Sequence, residues 1–185
     1  MKIMFASDIH GSAYYCRKML EAFERSKAER LVLLGDILYH GPRNDLPKEY
    51  APKEVIAMLN PLRSRIYAVR GNCDTEVDQM VLQFPILADY ALLSFNGRTF
   101  YATHGHVFNQ DHLPPVQEGD ILIHGHTHVL KAEQVEAEGI GKITVLNPGS
   151  TSIPKEGNPP TYALLEENVF RIFTFQDEIV KEITL

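Results

Sequence analysis

The sequence has few cysteines, no long hydrophobic run and no excess of positive charge. Two cysteines, Cys16 and Cys73, occur among 185 residues, which excludes a disulfide framework and a zinc site built from a thiolate cluster. No segment approaches about 18 consecutive apolar residues, the length of a membrane-spanning helix. The apolar run at residues 3–6 is too short for the core of a signal peptide. We therefore expect a cytoplasmic protein without a membrane partner.

The overall charge argues against capture of nucleic acid. The chain carries 18 basic and 24 acidic residues, a formal net charge of -6. A protein of this charge does not attract nucleic acid or an anionic membrane surface irrespective of sequence. Nucleic acid is therefore not an expected partner, and an anionic substrate must be attracted by local groups.

The length and composition are typical of one globular domain. Hydrophobic residues make up 44% of the chain and charged residues 23%, with both signs mixed. No internal repeat divides the sequence, and its proline-containing stretches are short. We therefore interpret residues 1–185 as a single domain.

The first half of the chain alternates short apolar runs with segments of helical periodicity. The runs cover residues 3–6, 31–34 and 66–69, a pattern typical of buried parallel strands joined by helices. Ser12 is placed to cap the first helix, and Asp74 or Thr75 the third. Each of three helices is predicted to present one apolar face. In the first helix the face is formed by Cys16, Met19, Leu20 and Phe23, in the second by Val55, Ile56, Leu59 and Leu62, and in the third by Val77, Met80, Val81 and Phe84.

The second half of the chain is predicted to be mostly β-structure. Asn96-Gly97 between apolar segments is a strong signal for a two-residue hairpin. The tail from 162 to 183 reads as short strands that turn at Glu167-Asn168 and near Asp177. The expected fold class is α/β, with two packed β-sheets in a β-sandwich that is flanked by α-helices.

Five apolar runs are followed at once by residues that ligate metals. Open α/β sheets place their sites outside the carboxyl ends of the strands, so we expect these side chains to form one cluster. Pairs two residues apart would face one side if their backbone is extended. The candidate metal ligands are Asp8, His10, Asp36, Asn72, His104, His126 and His128.

This donor set indicates the kind of metal. Carboxylate, amide oxygen and imidazole together suit Mn, Fe, Co, Ni or Zn better than an all-oxygen Mg or Ca site. Seven ligands exceed the need of one ion, whereas two ions that share a bridging carboxylate, such as Asp36, would use all of them. Two divalent ions would also give an acidic protein a local positive centre for a phosphate. The expected cofactors are two divalent transition-metal ions, Mn²⁺ first, with Ni²⁺, Co²⁺, Fe²⁺ and Zn²⁺ as alternatives.

The segments FASDIHG, LLGDILYHG, VRGNCD, THGH, HGHTH and LNPGS occur in this order between residues 5 and 150. The ordered set resembles the calcineurin-like metallophosphoesterases, in particular their small bacterial and archaeal phosphodiesterases. The resemblance implies a β-sandwich flanked by helices, a small phosphoester substrate, and assembly into dimers or tetramers. It also implies a hydroxide bridging two metals as the nucleophile. One metal would be held by Asp8, His10, Asp36 and His128, and the other by Asp36, Asn72, His104 and His126.

The sequence departs from this family at Cys73. Many members have a histidine here that protonates the leaving group, whereas this chain reads Gly-Asn-Cys-Asp. A thiol, with an ordinary pKa of about 8.5, is a poorer acid than imidazolium. The residue predicts narrow or slow activity towards esters whose leaving group must be protonated.

Several assignments remain open at the level of sequence. A phosphodiesterase is favoured over a phosphomonoesterase or pyrophosphohydrolase because few basic residues flank the motifs. A protein-binding scaffold is a third reading, because the small retromer subunit is similar in architecture and motif order. A nuclease is disfavoured by the acidic charge. Two interpretations remain open for each of five further residues: contact with the site, or a role in the structure of its loop alone. These residues are Arg43, Asn44, His106, Asn147 and Ser150.

Overall fold

The computed structural model describes residues 1–185. The three α-helices are α1 (Ala13–Ser26), α2 (Pro52–Leu59) and α3 (Glu76–Val81), and a 3₁₀ turn covers Asn60–Leu62. None of these helices is both long and apolar enough to cross a bilayer. The eleven strands are β1 (Lys2–Ala6), β2 (Arg30–Leu33), β3 (Ile66–Ala68), β4 (Tyr90–Phe95), β5 (Arg98–Thr103), β6 (Ile121–Ile123), β7 (Lys131–Ala137), β8 (Gly141–Asn147), β9 (Thr161–Glu166), β10 (Val169–Thr174) and β11 (Ile179–Thr184).

The strands form two sheets. The first has the order β11-β10-β9-β1-β2-β3, and the second has the order β4-β5-β6-β8-β7. Strands β1, β2 and β3 are parallel, as are β5, β6 and β8, so three strands of each sheet run in one direction. The predicted architecture of two packed sheets is confirmed, as are the hairpin at Asn96-Gly97 and both turns of the tail.

Aromatic side chains fill the space between the two sheets. Phe5 of β1 packs against Phe100 of β5 with ring centroids 6.4 Å apart, and against Phe170 of β10 at 6.0 Å. All three side chains are fully buried. Because successive strand residues face opposite sides, Met4 and Ala6 of β1 point away from this layer and towards the helices. The strand β1 therefore ties together both hydrophobic layers of the molecule.

The helices pack on the outer face of the first sheet. Helix α1 begins at Ser12, whose side chain accepts a hydrogen bond from the Tyr15 amide at 3.2 Å, as the sequence predicts. Cys16 is buried in the core of this layer. On the outer face of the second sheet, the loop residue Val116 packs against Ile143 and Val145, so a loop rather than a helix covers that side.

The prediction of an apolar face on the third helix was wrong. Helix α3 ends at Val81, and three of the four expected face residues are exposed, Val77 by 69%, Met80 by 83% and Val81 by 43%. The helix begins with a capping box in which Thr75, not Asp74, is the N-cap residue. The Gln79 side chain donates to the carbonyls of Leu82 and Phe84, which holds the chain beyond the helix in a different direction. Phe84 is buried, but as part of that following segment.

We predict that Phe100→Ala lowers the free energy of unfolding by about 3–5 kcal/mol, because it opens a cavity between the two sheets. Chemical denaturation of the purified variant measures this change. The matched control is Leu92→Ala on the neighbouring strand, since Leu92 is 56% exposed and should change stability by no more than about 0.5 kcal/mol. Equal unfolding midpoints for the two variants would contradict this account of the core.

Candidate metal centre

The carboxyl ends of five parallel strands meet at one edge of the two packed sheets. Strands β1, β2 and β3 lead to the turns that carry Asp8, Asp36 and Asn72. Strands β5 and β6 lead to the turns that carry His104 and His126. The predicted convergence of these strand ends is what the structure shows. The seven predicted residues lie in one cluster, and most of their side chains are buried.

The backbone of the cluster is not extended as predicted. Five of the seven residues have a positive φ: Asp8 at 58°, His10 at 50°, Asp36 at 55°, His126 at 66° and His128 at 61°. Asp and His tolerate this left-handed region better than most residues, but it remains unfavourable and clusters at functional sites. The two pairs spaced by two residues converge because the chain turns at each member, not because a strand continues.

Two glycines allow the turns to touch one another. A Cβ atom at Gly71 would lie 2.1 Å from the Oδ1 atom of Asp36, and one at Gly125 would lie 1.9 Å from the Oγ atom of Ser7. Neither glycine has a positive φ, so their role is close approach rather than backbone freedom. Any side chain at either position would push a carboxylate-bearing turn out of the cluster.

Three overlapping groups of side chains have the geometry of metal ligands, and one of them joins His10 and Asp36 to Cys73. Asp8, His10 and His128 offer ligand atoms that all lie within 4.8 Å of one another. Asp8, Asp36 and His104 form a second group on the same criterion. The Oδ1 atom of Asp8 is 3.2 Å from the Nε2 atom of His128, and the Oδ2 atom of Asp36 is 3.4 Å from that of His104.

Asn72 and His126 lie beside these groups. The Oδ1 atom of Asn72 is 3.1 Å from the Nε2 atom of His104. The His126 ring packs against His104 with centroids 5.0 Å apart, and its backbone N–H donates to the Oδ2 atom of Asp8 at 3.1 Å. The ring of His106, whose role the sequence left open, packs on His104 as well, at 5.3 Å.

Backbone carbonyls fix the orientation of three imidazoles. The Nδ1–H groups of His10, His104 and His128 donate to the carbonyls of Tyr39, Leu34 and Ile153 at 2.8, 2.6 and 2.6 Å. With the hydrogen on Nδ1, each neutral ring presents a lone pair at Nε2. A metal-binding histidine is held in the same way by a hydrogen bond from its second nitrogen. All three Nε2 atoms therefore point into the cluster.

These residues fit bound cations. The Oδ1 atom of Asp8 is fully buried and accepts no hydrogen bond. The Nε2 atoms of His10 and His128 face each other at 3.3 Å, so two lone pairs meet beside an unpaired carboxylate oxygen. A buried charge without a partner is costly. A positive charge placed among these three atoms would satisfy all of them.

In the absence of a metal, protons supply part of this positive charge. Burial lowers the pKa of His104, but the neighbouring carboxylates of Asp36 and Asp8 outweigh that effect and raise it to about 9. Burial raises the pKa of Asp8, and the imidazoles of His10 and His128 more than reverse this, so its pKa lies well below the ordinary value. The cluster therefore keeps its carboxylates ionised and attracts cations.

Asp74 positions two of the ligand turns, an interpretation that the sequence favoured less than helix capping. Its Oδ2 atom accepts the amides of Asp36 and Gly71, both at 2.8 Å, and its Oδ1 atom accepts that of Ile37 at 2.9 Å. One buried carboxylate thus joins the turn after β2 to the turn after β3. From the motif Gly-Asn-Cys-Asp, helix capping was the more economical explanation of this residue.

Asn147 and Ser150 support the other turns. The Asn147 amide donates to the Gly125 carbonyl and the Thr127 hydroxyl, both at 3.0 Å. The Ser150 hydroxyl donates to the Asp8 carbonyl at 3.1 Å. Both residues therefore contact the site, which is one of the two roles that the sequence left open. His124 is buried behind the cluster, and its Nδ1–H donates to the Gly125 carbonyl.

A cavity of about 400 Å³ opens onto the cluster. Asp36, Asn72, His126 and His128 form its base, and Cys73 forms part of a wall. Burial raises the pKa of the Cys73 thiol to about 12, and the nearby Asp36 carboxylate adds to the effect. Two exposed cations also line the cavity, Arg43 and Lys155. Lys155 lies outside every motif, so the sequence held no signal for it.

Comparison with known proteins agrees with this geometry. Residues 1–168 match the calcineurin-like phosphoesterase superfamily domain. The chain therefore belongs to the calcineurin-like phosphoesterase superfamily.

Individual relatives share most of its length. The chain is 47% identical over 180 residues to "Phosphodiesterase YfcE" of Escherichia coli (strain K12), which covers 97% of this chain and 95% of that protein. A solved structure described as that of "Yfce, a phosphoesterase from E. coli" superposes with a TM-score of 0.95 at 46% identity, covering 100% and 99% of the two chains. A zinc complex of Vps29 from Entamoeba histolytica shares the fold alone, at 18% identity and a TM-score of 0.59 over 100% and 99% of the chains.

We predict that metal binding releases protons at pH 7.5. The pKa of His104 is raised from 6.5 to about 9, so its ion pair with Asp36 is complete below pH 6.5 and is lost as the pH rises through 9. A metal ligand must be a neutral imidazole, so Mn²⁺ has to displace this proton at pH 7.5.

Calorimetric titration with Mn²⁺ in two buffers of different ionisation enthalpy measures the released protons. We expect about one proton or more per chain, and about one fewer in His104→Gln. An apparent binding enthalpy that is identical in both buffers would show that no proton leaves, and that His104 is neutral before the metal arrives.

Proposed function

We propose that this protein is a metal-dependent phosphodiesterase that hydrolyses a small phosphoester. The observation that carries the proposal is the buried cluster of ionised carboxylates and Nε2 lone pairs at the base of an open cavity. Such a cluster has little value for stability unless cations occupy it. The relationship to a phosphodiesterase at 47% identity over nearly the whole chain supports the same reaction.

The proposed centre holds two divalent transition-metal ions, with Mn²⁺ as the first candidate. We assign one ion to Asp8, His10, Asp36 and His128 and the other to Asp36, Asn72, His104 and His126. Two of the three groups with ligand geometry share Asp8, and this overlap supports a pair of adjacent ions. When bound, such ions polarise a phosphoryl group and lower the pKa of water towards about 7.

The protein residues around the cavity bind and orient the ester. Arg43 and Lys155 place positive charge at the cavity wall, where phosphoryl oxygens of the substrate would lie. The Lys155 backbone amide donates to the His128 carbonyl at 3.1 Å, which ties this cation to the ligand turn. Cys73 stays a thiol at neutral pH because its pKa is raised to about 12, so it protonates a departing alkoxide poorly.

Arg43 and Lys155 also favour a second candidate, a phosphomonoesterase or pyrophosphohydrolase. Few basic residues flank the motifs in the sequence, whereas two cations line the cavity in the fold. A terminal phosphate carries one more charge than a diester and gains more from such groups. Rates on 4-nitrophenyl phosphate and bis(4-nitrophenyl) phosphate with added Mn²⁺ rank the two reactions, and we expect the diester to be faster.

We predict that hydrolysis of bis(4-nitrophenyl) phosphate disappears after chelation and returns with Mn²⁺. Asp36→Asn should lower kcat/KM at least about a hundredfold, because it removes the carboxylate shared by both proposed ions. Glu138→Gln makes the matched change of carboxylate to amide in the turn between β7 and β8, at the end of β8 remote from the cluster, and should retain activity. Full activity in the chelated protein would contradict the proposal.

We predict that Cys73→His raises the rate of alkoxide-leaving diesters relative to bis(4-nitrophenyl) phosphate. Imidazolium can donate the proton that the thiol withholds, a contribution typically of about a hundredfold or more, whereas nitrophenoxide needs no proton. Steady-state assays of bis(4-nitrophenyl) phosphate and a dialkyl phosphate diester provide the comparison. Unchanged relative rates would show that the missing acid does not limit the reaction.

A further inference from the structure

A second, apolar groove lies beside the cavity above the metal cluster, on the other side of Cys73. Cys73 lines both spaces, and the groove encloses about 320 Å³. Seven of the ten residues that line it are hydrophobic. They include Tyr39, Tyr50, Ile56, Val77 and Val81.

The groove is fixed to the metal cluster by two contacts. The Tyr39 carbonyl accepts the Nδ1–H of His10 at 2.8 Å, so one groove residue also orients a proposed metal ligand. The Tyr50 ring lies so close to Gly11 that a Cβ there would be 2.6 Å from it. The groove therefore keeps its position relative to the cluster.

The groove presents little charge to a ligand. Asp78 is its one charged lining residue, and the amide and hydroxyl of Thr75 donate to that carboxylate at 2.8 and 2.9 Å. The adjoining cavity contains Arg43, Lys155 and the metal cluster. A molecule that lies across both spaces would thus meet charge at one end and an apolar surface at the other.

The apolar side chains of the groove remain accessible. Tyr39 is 41% exposed, and Val77 on α3 is the most exposed of the apolar lining residues. The capping box of Thr75 and Asp78 holds the start of α3 in this position. A cluster of exposed apolar side chains beside an active site is typical of a ligand groove.

We propose that this groove is the subsite for one ester group of the substrate and selects a planar apolar or aromatic group. The inference deepens the proposed phosphodiesterase function and rests on it. The occupant is a small substrate because the groove and the reaction cavity share a lining residue, Cys73, so one molecule can lie across both. A phosphodiester with an aromatic substituent would place its phosphate at the cluster and its ring against Tyr39 and Val77.

A pair of phosphonates measures the contribution of the contact between an aromatic ring and the groove. Methylphosphonate and phenylphosphonate carry the same anionic group and differ only in the apolar substituent. We expect phenylphosphonate to bind the Mn²⁺-loaded protein about tenfold more tightly, because its ring is removed from water in the groove. Calorimetric titration gives both affinities, and competitive inhibition of diester hydrolysis gives them independently.

Two variants on α3 distinguish the contribution of the groove to binding from a general effect of an added charge. Val77→Asp places a charge in the groove and should reduce the preference for phenyl to about twofold or less. An acidic residue in the first turn of a helix is favourable, so this variant should fold. Met80→Asp makes the same kind of change on α3 outside the groove lining and should keep the tenfold preference.

Each outcome decides the proposal. Equal affinities for the two phosphonates, or a preference that survives Val77→Asp, would overturn it. A Val77→Asp variant that changes oligomeric state in sedimentation, with no phenyl preference in the unmodified protein, would assign the face to a second copy and overturn it as well. Tighter phenylphosphonate binding without any metal-dependent diester hydrolysis would support the groove and contradict the proposed reaction instead.

Discussion

The buried carboxylate of Asp8 imposes the main constraint on this structure. Its Oδ1 atom has no hydrogen-bond donor, although three imidazoles and a second carboxylate lie around it. Burying such a group costs several kcal/mol unless a positive charge is close. The turns that surround it are themselves strained, with a positive φ at five of the seven predicted ligands. Cations at this point would repay both costs, so we interpret the arrangement as a site prepared for binding.

The remaining architecture holds these turns in place. Strand β1 supplies Phe5 to the layer between the sheets and Met4 to the layer beneath the helices, so the turn that follows it is fixed from both sides. Asp74 joins the turns after β2 and β3, and Asn147 supports the turn after β6. The packing of the two hydrophobic layers thus fixes the positions of the side chains in the cluster.

The sequence predicted the clustering of these side chains better than it predicted the local backbone. Apolar runs that end in Asp, Asn or His identify both the strands and the edge at which they meet, because each signal lies within a few residues. The left-handed turns depend instead on contacts between distant segments, such as Gly71 against Asp36. The exposure of Val77 and the position of Lys155 in the lining of the cavity also arise from tertiary packing, which the hydrophobic periodicity of the sequence does not encode.

Anomalous diffraction from crystals grown with Mn²⁺ tests the central claim most directly. The account predicts two peaks inside the cluster, one among Asp8, His10 and His128 and the other among Asp36, Asn72 and His104. An empty cluster in well-ordered crystals, or manganese bound only to carboxylates on the surface, would contradict it.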